Sequence, residues 1–263
     1  MNSYFMGIEE TPGLAFPLHY LCRYDYRHKP EGSVPTIIYL HGFTGGKESH
    51  LDVRMDLADI GYLVVSFDAH SHGARGPLAE LWNSCRTDFP ETFFTVLEET
   101  AQDTEEVLAV LSRDPHVNRS RMGLIGGSMG AMVCLMAIPR LDGLKAAVSL
   151  AGTADLPRWY EETAGHDVYR FEKKPLPPGL RARLRRRDPI HQAESYPPVA
   201  LLMVHGAEDP VVPPRGQREL YEKLKPLYEK QGAALAFRLY PELGHETSAQ
   251  LLADVHEWLK VHL

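Results

Sequence analysis

Three side chains in this sequence could together turn a hydroxyl into a nucleophile. Ser128 lies in Gly126-Gly127-Ser128-Met129-Gly130, directly after the apolar run Met122-Gly123-Leu124-Ile125 and before Met132, Val133, Leu135, Met136 and Ile138. The pattern reads as a strand, a sharp turn with serine at its apex, and a helix, the G-x-S-x-G elbow. Such a turn needs minimal side chains two residues to either side, where strand and helix pass closely. A serine hydroxyl attacks only when a base takes its proton. The base and its orienting acid are expected downstream, at the ends of later strands. Val199-Ala200-Leu201-Leu202-Met203-Val204 runs into His205-Gly206-Ala207-Glu208-Asp209-Pro210, and Ala236-Phe237-Arg238-Leu239-Tyr240 runs into Pro241-Glu242-Leu243-Gly244-His245. The expected assignment is Ser128 as nucleophile, His245 as general base and Asp209 as the acid that fixes the imidazole tautomer. Asp209 is preferred over Glu208 by its position in the loop.

A tetrahedral intermediate needs donors for its oxyanion, each worth roughly 3–4 kcal/mol. The expected donors are two backbone N–H groups. One belongs to Met129, next to the nucleophile. The other belongs to Phe43, in the His41-Gly42-Phe43-Thr44-Gly45-Gly46 loop that follows Thr36-Ile37-Ile38-Tyr39-Leu40.

These residues need a frame that brings distant strand ends together. Short, continuously apolar runs (residues 36–40, 62–67, 145–150 and 199–204) read as strands covered on both faces. They alternate with helical patterns over about 49–60, 91–112, 217–229 and 248–261. Phe94, Leu97, Ala101, Val107, Leu108 and Leu111 form the apolar stripe of the second helix. Leu14 to Tyr24 reads as alternating antiparallel edge strands. The pattern predicts an α/β chain with a doubly wound, mostly parallel sheet in one domain spanning 1–263. The proline-rich stretch from Gly152 to Pro198 is too long for a bare loop. It is expected to form a small, largely helical cap of about 152–198, inserted above the site.

At this point the chain resembles the α/β-hydrolase superfamily, from HGFTGG through GGSMG and HGAEDPVVP to the final LGH. Within it, HGFTGGKESH and GYLVVSFDAHSHGARG look like the dienelactone-hydrolase and prolyl-oligopeptidase-like serine esterases. The segment Asp68 to Gly73 resembles an Asp-x-x-x-x-Gly motif that is mainly structural in that group. The resemblance implies serine-dependent hydrolysis of esters or thioesters without a cofactor. The nucleophile is serine where true dienelactone hydrolases carry cysteine, and no amino-terminal propeller of the oligopeptidase kind is expected.

Composition narrows the partners. The 263 residues carry a net charge of -7, which argues against nucleic acid and anionic membranes as partners. No apolar run reaches the ~20 residues needed to cross a bilayer, and the first residues show no secretory signal. Cys22, Cys85 and Cys134 are odd in number and unpatterned, so a reducing, cytoplasmic setting is expected. Asp68-Ala69-His70-Ser71-His72 superficially resembles a metal motif but lacks a completing cluster, so polar loop packing is expected and no metal. Arg181, Arg183, Arg185, Arg186 and Arg187 read as a solvated helix face, or alternatively as a clamp for an anionic substrate group. Trp159, Arg185 and Arg186 are therefore candidate substrate-binding residues. Trp159, Tyr160 and Tyr169 read as cap packing or an acyl-binding wall.

The leading expectation is a carboxylesterase acting on small, short-chain esters through an acyl-enzyme. The alternatives are an acyl-CoA thioesterase, a small peptidase, or a silent binding protein on the same scaffold, each open because fold does not fix function.

Overall fold

The computed structural model describes residues 4–163 and 174–263. Eight strands form one sheet in the order β1-β2-β4-β3-β5-β6-β7-β8. In chain order these are β1 (Phe5–Glu9), β2 (Leu18–Cys22), β3 (Val34–Leu40), β4 (Leu63–Ser66), β5 (Val117–Gly127), β6 (Leu144–Leu150), β7 (Ala200–Gly206) and β8 (Leu235–Tyr240). β2 runs antiparallel to both of its neighbours, β1 and β4, and the six strands from β3 to β8 are mutually parallel. The helices are α1 (Leu51–Ile60), α2 (Leu78–Thr87), α3 (Phe89–Leu111), α4 (Met129–Ala137), α5 (Leu156–Thr163), α6 (Pro178–Arg185), α7 (Arg215–Gln231) and α8 (Ala249–His262). This is the doubly wound, mostly parallel sheet expected from the strand and helix alternation, and it fits the α/β-hydrolase fold that the family resemblance implies.

Two apolar cores lie against the sheet. One contains Leu57 of α1, Val255 and Leu259 of α8, and Ile37, Val148 and Leu202 of the strands. The other contains Phe94 and Leu97 of α3, Met132 and Leu135 of α4, and Leu220 and Leu224 of α7. Sandwiching between these cores explains why the central strands read as continuous rather than alternating apolar runs. β3 passes to β4 on one side and the chain returns to β5 on the other, with Leu40 beside Gly126. The crevice of an open α/β sheet lies at such a reversal, outside the carboxyl ends of the strands.

Three local expectations need correction. Leu14 to Tyr24 is not a pair of alternating edge strands: all five residues of β2 are buried, because β1 lies outside it and takes the edge. α2 was not foreseen and precedes α3, whose N-cap Asp88 accepts from the Glu91 N–H at 3.1 Å. α1 begins at Leu51 rather than Ser49, because His50 takes a left-handed φ of 52°. The residues expected as a cap contain α5, α6 and short 3-10 turns at Pro189–His191 and Ala193–Ser195. Residues 164–173, including Tyr169, lie outside those described.

Candidate active site

Ser128 occupies the apex between β5 and α4, with φ 53° and ψ -116°, a conformation a serine adopts only at a cost of order 1–3 kcal/mol. The fold enforces it. Ser128 N–H donates to the Leu150 carbonyl of β6 at 2.8 Å, and Ser128 O accepts from Ala131 N–H at 2.9 Å. A Cβ at Gly126 would lie 2.0 Å from the Gly130 oxygen, and one at Gly130 would lie 2.3 Å from the Leu40 oxygen. Glycine two before and two after the serine is therefore a steric requirement.

The parallel register delivers the other two residues to the same end of the sheet. His245 Nε2 lies 2.8 Å from Ser128 Oγ, and His245 Nδ1 lies 2.7 Å from Asp209 Oδ2. Glu208 makes no part of this chain of contacts. Asp209 Oδ1 accepts from the N–H groups of Val211 and Val212, both at 2.9 Å. His205 Nε2 lies 3.3 Å from Asp209 Oδ2. Burial alone would raise the Asp209 carboxyl, but the hydrogen bonds from His205, His245 and Val212 N–H outweigh it and hold the group well below the usual carboxylate range. Asp209 is thus an anion fixed beside an imidazole.

The loop after β3 packs against the serine. A Cβ on Gly42 would stand 3.5 Å from Ser128 Cβ, which places Phe43 alongside. Met129 opens α4, so its N–H belongs to the first helical turn. His41 anchors this loop: its Nε2 accepts from Ala69 N–H at 2.9 Å and its Nδ1 faces the Gly42 carbonyl at 2.8 Å. Burial lowers the His41 pKa to about 4, keeping the ring neutral. His72 supports the same loop, with Nε2 accepting from Thr44 N–H at 3.2 Å and Nδ1 2.8 Å from the His70 carbonyl.

Asp68 is equally committed. It accepts from Lys47 N–H (2.8 Å), Lys47 Nζ (2.7 Å) and Ala74 N–H (2.9 Å). A Cβ at Gly73 would fall 2.2 Å from Asp68 Oδ1, and Gly73 has φ +53°, so glycine is required there. The Asp68 to Gly73 motif is therefore a loop brace. Among the described residues no group of three or more His, Cys, Asp or Glu side chains could hold a metal ion.

Ser128 and His245 open into a cavity of about 650 Å³. Its walls include Val53, Leu150, Leu251 and Leu252, together with Phe43 and Trp82. Trp82 and His50 are lining residues that the sequence reading missed. A signal for Trp82 existed: Leu78, Leu81, Trp82 and Cys85 stand at i, i+3, i+4 and i+7, one helical face. Three expected substrate-binding residues are placed elsewhere. Trp159 is buried against Phe93, with Nε1 donating to the Val211 carbonyl at 3.1 Å, so it backs the wall without lining it. Arg185 and Arg186 are exposed and do not line the cavity. The period of α6 turns Leu180 and Leu184 inward, which sends these two arginines outward. Arg181 pairs with Glu161, and Arg183 with Glu91 and Glu98.

Residues 96–263 match the prolyl oligopeptidase family, and the chain belongs to it. It is 27% identical over 97% of its length to "Putative esterase YitV" of Bacillus subtilis (99% of that protein). It is 25% identical to "Esterase YjfP" of Escherichia coli, with 88% of this chain and 90% of that one covered. An acetyl xylan esterase from Paenibacillus sp. R4 superposes with a TM-score of 0.74 at 17% identity, covering 99% of this chain and 89% of that one, a likeness of fold. The chain is a hydrolase of the α/β-hydrolase fold. No helix among the described residues is long and apolar enough to cross a membrane.

Proposed function

We propose that the protein is a carboxylesterase that cleaves small, short-chain esters through an acyl-enzyme on Ser128. The observation that carries this reading is the continuous contact chain from Ser128 Oγ through His245 to Asp209, at 2.8 and 2.7 Å, opening into a cavity with apolar walls. His245 Nε2 takes the hydroxyl proton as Ser128 Oγ attacks the ester carbonyl. Asp209 holds the proton on Nδ1 and stabilises the imidazolium that forms. The N–H groups of Phe43 and Met129 receive the oxyanion. The intermediate collapses as His245 returns the proton to the leaving alcohol. A water activated by the same imidazole then releases the acid and restores the serine hydroxyl.

The volume and apolar walls of the cavity suit a compact neutral acyl group. The substrate is a soluble small molecule, and the setting is cytoplasmic, consistent with three buried free cysteines. Peptide hydrolysis is the second reading, favoured by membership of the prolyl oligopeptidase family. The outward Arg185 and Arg186 take away the reason for preferring CoA thioesters. One assay series separates these: p-nitrophenyl esters of increasing chain length, acyl-CoAs of the same lengths, and aminoacyl p-nitroanilides. Highest kcat/KM on the short esters is expected. Preference for the anilides replaces the esterase reading with the peptidase one.

A further inference from the structure

Arg54, on α1, is 0% exposed, yet it forms no ion pair among the described residues. One nitrogen is satisfied: Nη1 donates to Ser66 Oγ at 2.6 Å and lies 2.7 Å from His19 Nδ1. Burial lowers the His19 pKa to about 4, so this ring is neutral and brings no charge of its own. Nε and Nη2 have no partner. A guanidinium keeps its proton under all ordinary conditions, and a buried charge without a counter-ion is unfavourable. The two unpartnered nitrogens are adjacent. Their N–H bonds form one parallel edge of the planar fork, the edge that matches the two oxygens of a carboxylate.

A surface cavity of about 410 Å³ has Arg54 among its lining residues. Besides Arg54 and His19 its lining includes Met6, Ile8, Glu48 and Leu51. Met6 is 57% exposed, Ile8 50% and Leu51 39%. They are three of only seven large hydrophobic residues this exposed among those described, gathered around one opening. The combination is an apolar rim over a charged, planar, unsatisfied fork. A phosphate or halide ion would use the charge but not the rim.

We infer that the cavity between β1, β2 and α1 is a binding site for a short-chain monocarboxylate, whose carboxylate engages Arg54 and whose alkyl chain lies against Met6, Ile8 and Leu51. The exposed side chains at the opening rotate on the picosecond to nanosecond scale and admit it. Glu48, the one acidic side chain of the lining, is exposed and competes for the fork. The site is separate from Ser128 and its occupancy does not depend on the chemistry there. It is nonetheless linked to the loop before α1: Ser66 Oγ donates to the Lys47 carbonyl at 2.6 Å, three residues before His50, which lines the Ser128 cavity.

The test is calorimetric titration of the whole protein with sodium butyrate at constant ionic strength, with butan-1-ol and sodium chloride as comparison probes. Saturable binding of one butyrate is expected, with none for butan-1-ol and no competition from chloride at matched concentration. Arg54→Met should weaken butyrate by about tenfold or more, since it removes a charge-assisted pair. Arg54→Lys retains the charge but not the fork and should lose most of the binding, which keeps the test decisive if the methionine variant folds poorly. Glu48→Gln should bind butyrate more tightly than the parent. The absence of saturable binding in the parent, or butyrate binding that survives in both Arg54 variants, overturns the site.

Discussion

Gly130 of α4 passes so close to the Leu40 carbonyl of β3 that a single added methyl would sit 2.3 Å from that oxygen. Neither group can yield, since both are backbone within regular elements, α4 and β3. Gly130→Ala should therefore be far more damaging than an ordinary glycine replacement in a helix, which tends to stabilise by up to ~1 kcal/mol. Loss of more than about 3 kcal/mol is expected, at the upper end for single substitutions. Chemical denaturation of the variant checks this, and a stability equal to the parent's would contradict the steric account.

Ser128→Ala removes the proposed nucleophile and should lower kcat on a short p-nitrophenyl ester by about 10⁴ or more. Asp209→Asn should cost a comparable factor by favouring the wrong tautomer of His245. If Ser128, Asp209 and His245 act as one unit, as proposed, the double variant should be scarcely worse than either single one. Multiplying losses in the double variant would mean that the groups act separately.

Asp188 supplies a pH dependence whose sign can be worked out. It is 0% exposed. Its Oδ1 accepts from Leu156 N–H at 3.2 Å, and its Oδ2 has no partner. Burial raises its pKa to about 8. The unfolded carboxyl titrates near ~3.9, so between these values the folded state holds the extra proton. This contribution to stability is full below pH ~4 and is lost as pH rises through about 8. Asp188→Asn should flatten the decline. The variant's melting temperature, relative to the parent's, should rise between pH 5 and pH 8. His19 and His41 act in the opposite sense. Each has a pKa lowered to about 4, so their contributions fade as pH falls from ~6.5 toward 4.

Arg185, Arg186 and Arg187 replaced together by glutamine should leave kcat/KM within about twofold on a neutral ester and on an acyl-CoA alike, because Arg185 and Arg186 are exposed, Arg187 is half-buried, and none of the three lines the Ser128 cavity. A selective, salt-sensitive loss on the CoA ester would restore the anionic clamp.

The sequence revealed the site and the sheet more clearly than the pocket. Ser128, Asp209 and His245 each follow an apolar strand, and chain order plus strand ends suffices to bring them together once the sheet is parallel. Gly126 and Gly130 were legible for the same reason, because their role is local backbone contact. Trp82 was not, since ten residues of α2 give too short a periodic signal beside the strong pattern of α3. Arg54 could not be read at all. A positively charged residue in an amphipathic stretch looks like surface, and only the packing of β2, β4 and α1 around it creates a buried fork. The outward turn of Arg185 and Arg186 likewise depends on which face of α6 meets α3.

β8 has a single hydrogen-bonded neighbour, β7, and none of its six residues is fully buried. His245 is carried by the loop that leaves this strand, whereas Ser128 sits between central elements. Fraying of β8 by local unfolding would detach His245, the proposed base, and leave the elbow intact, at a free energy below that of global denaturation. Catalytic competence is then a more fragile property than foldedness. On gradual warming, amide exchange in β8 and loss of hydrolysis should advance together, ahead of the transition reported by the core.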